Sequence, residues 1–244
     1  MSSEPAAAPP SEPPRRREPM FNAPMLAVLL AGSILGAYWL QSGPDEMALS
    51  YRYGLIPARL AQGEYGGLFT HMLMHGGWMH AIMNAVGALT FAAPAARLMG
   101  GFRGLIGFLS LYIICGVLAG GGYALLHLDG TAPLVGASGA VFGLIGAATR
   151  LLDGGGRVLP LSDRRVLSAS AAWIGVNVLI GLTGFAPGMQ GAAVAWEAHV
   201  IGLVAGLALI GPWARLFGRP AAPAASFDSP ADMREPETRN GPWA

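Results

Sequence analysis

Six apolar stretches, at residues 23–40, 78–98, 104–126, 138–152, 166–185 and 192–213, constrain this chain more than any other feature. Crossing a hydrocarbon core about 30 Å thick takes roughly 20 apolar residues of helix. Most of the six reach that length. The fourth has fifteen residues and gives about 22 Å at 1.5 Å per residue. Polar faces at the helical period, which a soluble bundle would need, barely occur in these segments. With 53% hydrophobic and 12% charged residues and a mean hydropathy of +0.47, the chain reads as an all-α polytopic membrane protein with six transmembrane helices.

Arginine placement sets the expected direction of those helices. All fifteen basic residues are Arg. With the N-terminus inside, thirteen of them fall on the cytoplasmic side, and Arg52 and Arg59 fall outside. Both termini are therefore expected in the cytoplasm. Three arginines before the first stretch also suit a signal peptide, but no small-x-small cleavage site follows in "GAYWLQSGPDEM", so an uncleaved first helix is the reading taken. Residues 1–20 are polar and Pro-rich and read as a disordered cytoplasmic tail, as do residues 218–244; the membrane domain spans 21–217. A net charge of +1 gives no case for a nucleic-acid partner, and the single Cys115 allows no internal disulfide.

Helices 2, 4 and 6 all run from outside to inside under this topology, and each carries unusual polar residues near its start. Helix 2 holds His71, His75, His80 and Asn84 in or just before it. Helix 4, "GASGAVFGLIGA" with its approach, begins at Ser138; helix 6 carries His199. Polar side chains in a membrane are costly unless paired, and mark functional sites by default. His80 and Asn84 are four residues apart and share a helix face. Gly139 and Gly143 beside Ser138, and Gly202 and Gly206 on the His199 face, would allow close backbone approach. That approach would bring Ser138 within hydrogen-bond reach of His199, as a nucleophile and its base require.

Other chemistries fit less well. "HMLMH" lacks the Glu of a zinc-protease helix, so no metal is expected. No pair of acids lies within the spans, and without Lys no Ser–Lys dyad exists. Glu197, two residues from His199, points away from it on a helix. A serine in an apolar helix also commonly just bonds back to its own backbone. Glycine pairs are commonly plain packing surfaces. A non-catalytic binder of transmembrane clients and a histidine-based ion pathway stay open as alternatives.

Three motifs together resemble the rhomboid intramembrane serine proteases. "HGGWMHAIMN" resembles that family's H-x-x-x-x-H-x-x-x-N signature, "GASG" its G-x-S-G motif and "AHVIGLVAG" its A-H-x-x-G-x-x-x-G motif, in the family's order and across roughly residues 22–213. The resemblance implies a six-helix rhomboid-like bundle in which Ser138 is the nucleophile and His199 its base. It further implies that His80 and Asn84, with the Ser138 N–H, donate to the oxyanion, that His75 holds the outer loop, and that Phe142 packs on the His199 ring. Gly136, Gly139, Gly202 and Gly206 would then be supporting positions. The implied partners are transmembrane protein substrates and the lipid bilayer, with no metal or cofactor; the Arg-only, Ala- and Gly-rich composition and polytopic form point to a bacterial inner membrane. One departure stands out. Within the outer loop 41–67, the family's frequent Trp-Arg pair before "LFT" is replaced by Gly66-Gly67. Residues 184–193 are expected to form a mobile cap.

Overall fold

The computed structural model describes residues 23–153, 156–184 and 194–219. The described residues form helices linked by turns, with no β-strand. Both predicted tails fall almost wholly outside them, as does nearly all of the predicted cap at 184–193.

Long helices occupy the predicted spans. They are α1 (Met25–Gln41), α5 (Trp78–Leu98), α6 (Gly101–Leu126), α8 (Arg164–Thr183) and α9 (Trp196–Phe217), joined by the short α7 (Ser138–Thr149). Four of these, α5, α6, α8 and α9, are long and apolar enough to cross a membrane. A fifth candidate pairs α1 with α2 (Glu46–Tyr53), across a bend of 119°. At twelve residues, α7 is about 18 Å long, well short of a hydrocarbon core of about 30 Å. The predicted start of helix 6 at residue 192 moves to Trp196, and that of helix 3 moves from 104 to Gly101.

The short helix is the centre of the bundle. Ten of the twelve α7 residues are buried, and α5, α6, α8 and α9 all pack against it. Its composition explains how. A Cβ added at Gly139 would stand 2.6 Å from Ala119 Cβ on α6; one at Gly202 or Gly206 on α9 would collide with the carbonyl oxygen of Gly139 or Gly143. Backbone therefore lies on backbone along the α7–α9 seam, the arrangement small residues permit where lipid supplies no hydrophobic drive between helices. Just past the C-terminus of α7, Arg150 donates to the carbonyls of Leu159 and Leu207, both at 2.7 Å, fastening that end to α9.

The segment before α7 is held from above. The outer loop folds into α2, α3 (Pro57–Leu60) and α4 (Gly67–Thr70). Leu55 and Leu134 exchange both backbone hydrogen bonds, at 3.0 and 2.8 Å, and Ala58 N–H donates to Gly130 O. Gly67 accounts for one of the two glycines that replace the bulkier pair. A Cβ there would lie 2.9 Å from Gly54 O and from Leu55 Cα, so α4 meets the preceding loop backbone directly.

Candidate active site

Ser138 is the first residue of α7, where the N–H groups of the opening turn have no intrahelical acceptor. Its Oγ lies 2.8 Å from His199 Nε2. His199 comes from the first turn of α9, and the glycine seam brings the two helix starts side by side. Both side chains are half-buried.

Gly136 shapes the space beside this pair. Its φ of +122° suits glycine, and its N–H donates to His71 O at 2.9 Å. The point where a Gly136 Cβ would stand is 2.8 Å from His80 Nε2 and 3.7 Å from Ser138 Oγ. The absent side chain thus leaves a gap bordered by His80 on one side and the serine hydroxyl on the other. His80 Nδ1 accepts from Gly76 N–H at 3.3 Å. A neutral ring that accepts at Nδ1 carries its proton on Nε2, the atom that faces the gap. Asn84, one turn further along α5 and buried, donates to His80 O at 2.9 Å; its amide keeps a second N–H.

His75 lies behind this gap and is fully buried. Gln41, at the end of α1, brackets its backbone, donating to His75 O at 2.7 Å and accepting from His75 N–H at 2.8 Å. The His75 ring stands edge-on to His80 with centroids 5.2 Å apart. Burial, and then the neighbouring His80, push its pKa down from 6.5 to about 3. Burial likewise lowers the pKa of His71. Both rings are therefore neutral parts of the scaffold at neutral pH.

Phe142, one turn into α7, stacks on the His199 ring with centroids 4.4 Å apart and planes 9° from parallel. Trp173 of α8 meets Phe142 edge-on at 5.9 Å. Glu197 turns the other way, with Oε1 3.4 Å from His127 Nε2. Among the described residues no group of three or more His, Cys, Asp or Glu is placed to hold a metal ion.

One residue of the cluster was not among those expected from the sequence. Asn177, on α8, places its Oδ1 2.8 Å from His199 Nδ1. The signal was present as a lone amide in the run "AAWIGVNVLIGLT", and the cost of a polar group within a span applies there as it does at Ser138.

Comparison with known proteins now adds to this geometry. The sequence model of the Rhomboid domain matches residues 62–215. The chain belongs to the rhomboid family. It is also similar to the Bacillus subtilis (strain 168) protein named "Putative rhomboid protease YdcA", with 38% identity over 88 residues, covering 36% of this chain and 41% of that protein. The aligned region thus spans less than half of that relative. Family and apolar helices together make this rhomboid an integral, multi-pass membrane protein.

Proposed function

We propose that this rhomboid is an intramembrane serine endopeptidase, using Ser138 and His199 to hydrolyse peptide bonds in or near transmembrane segments of other proteins. The observation that carries the reading is the 2.8 Å contact between Ser138 Oγ and His199 Nε2 beside the gap over Gly136. Family membership and the name of the Bacillus relative support the same class of reaction.

In this scheme the Ser138 hydroxyl donates to His199 Nε2. As Oγ attacks the scissile carbonyl, the proton passes to that nitrogen, and the carbonyl oxygen becomes an oxyanion. The gap over Gly136 receives it. His80 Nε2–H, the Ser138 N–H at the start of α7 and the free N–H of Asn84 are the donors, each worth about 2.7–4 kcal/mol where such groups have been removed from comparable enzymes. Collapse of the intermediate breaks the C–N bond, and His199 returns its proton to the leaving amine. Water then attacks the acyl-serine by the same steps, releasing the acid and restoring the hydroxyl.

Water must reach Ser138 for this, and the shortness of α7 suits it. A helix of about 18 Å anchored by Arg150 at the inner side starts below the outer surface of a six-span bundle whose termini are both cytoplasmic. An intact substrate helix hides its carbonyls, so substrates are expected to carry Gly or Pro near the cut bond. In liposomes the purified protein should cleave such a substrate and take up a fluorophosphonate probe. Ser138→Ala should lose both, cleavage by at least about 10⁴-fold. Probe uptake that survives Ser138→Ala would refute the assignment, and a folded protein that cuts no helical client would favour a non-catalytic binder.

A further inference from the structure

The His199 ring is gripped at both nitrogens and on one face. Nε2 meets Ser138 Oγ and Nδ1 meets Asn177 Oδ1, each at 2.8 Å, while Phe142 covers the face. Asn177 is 2% exposed, so its amide needs internal partners. It has two. Its Nδ2 donates to Trp173 O one turn back, at 2.9 Å. That bond decides which way the amide points, because a flipped amide would set Oδ1 against a carbonyl oxygen. The amide oxygen therefore faces His199.

An amide oxygen accepts and cannot donate. The hydrogen bond to Nδ1 then requires the His199 proton to sit there, leaving Nε2 as the atom with a free lone pair. A base must present that lone pair to the serine hydroxyl.

We infer that Asn177 is a positioning residue that completes a Ser138–His199–Asn177 relay by fixing the tautomer and tilt of His199. The inference rests on the protease reading above. It also accounts for a neutral residue in this place. An amide selects the tautomer without placing a carboxylate within a membrane span, where a charge is expensive. The position of α8 adds weight. Only Val166 and Asn177 are buried on this helix, a far smaller share than on α5, α6 or α9. The one well-buried side chain on its outer half is the one that reaches the histidine.

Two variants and one spectrum test this. Asn177→Leu keeps the side chain's branching at Cγ and removes the acceptor; its kcat and probe-labelling rate should fall about tenfold, with KM within about twofold, as loss of one hydrogen bond that serves the reacting pair predicts. Asn177→Asp restores an acceptor and should return kcat to within about threefold of the parent. Long-range nitrogen–proton NMR of the imidazole-labelled protein in micelles, with His199 identified through His199→Gln, should show His199 as the Nδ1–H tautomer. Asn177→Leu should lose that pattern. Parent-like kcat in Asn177→Leu overturns the inference, and so does an Nε2–H tautomer in the parent protein, whether or not the variants fold. A parent that neither labels nor cleaves fails the protease reading itself and takes the positioning role with it. An active parent beside an unaffected Asn177→Leu fails the positioning role alone.

Discussion

The α7–α9 seam and helix α8 touch the same histidine in opposite ways. Along the seam, Gly202 and Gly206 of α9 lie against the carbonyl oxygens of Gly139 and Gly143, and Gly146 of α7 lies against that of Leu203, so backbone meets backbone directly. Ser138 and His199 are therefore separated by a distance the main chain itself determines. Helix α8 reaches the site through Trp173 and Asn177, from a helix whose other faces are largely open to lipid. Ser138 and His199 sit where displacement meets hard contact at once, and Asn177, which orients the histidine in the proposed relay, comes from the most weakly buried long helix. Precision of distance is invested in the backbone, and control of orientation in one side chain.

That contrast can be broken at either side. The largest stability effect is expected at the seam. Gly206→Val forces a branched side chain against Gly143 O, and should cost roughly 3 kcal/mol as well as the Ser138–His199 contact. Thermal unfolding in detergent and the probe-labelling rate both read it. A Gly206→Val protein as stable and reactive as the parent would show that the seam is not set by backbone contact.

Acid should undo the scaffold next. His75 is neutral in the fold, its pKa lowered from 6.5 to about 3, whereas in the unfolded chain it takes up a proton near 6.5. Its contribution is thus complete above pH 6.5 and is lost progressively as pH falls towards about 3. Unfolding followed across that window should show stability declining, with a shallower slope in His75→Gln. An unchanged slope would remove His75 from the acid response.

Phe142→Ala comes third. Loss of a stacked ring worth about 0.5–1.5 kcal/mol should slow labelling by about fivefold while leaving the seam intact. The smallest effect belongs to the lipid side of α8. Leu179 is 60% exposed, and Leu179→Ala should change stability by no more than about 0.5 kcal/mol. A loss there equal to that of Gly206→Val would erase the distinction between the two regions.

The starts of α5 and α7 were legible in the sequence, as was the placement of Ser138 beside His199, because membrane helices announce themselves by unbroken apolar length and glycine at fixed spacing marks close approach. The Gly136 gap was legible only in outline. "GASG" gives the residues, but the positive φ and the bond to His71 come from a loop pinned elsewhere. The outer loop was harder still. Its helices α2 and α3 are short and weakly patterned, and what fixes them is pairing with residues 130–134, far along the chain. Asn177 escaped because its meaning lies in its neighbour. Nothing within "WIGVNVLIG" distinguishes an amide that turns to a histidine from one that merely bonds its own helix, and here it does both.

The pairing of Leu55 with Leu134 carries a consequence for how the molecule is made. A chain emerges from the ribosome N-terminus first. The outer loop, Gly136 and the serine all precede α9 in the chain. His199 follows later in the chain, on α9. In the proposed reading, a nascent rhomboid therefore carries its nucleophile without its base until α9 docks on the glycine seam. Docking of α9 is then the step that brings base and nucleophile together in that reading.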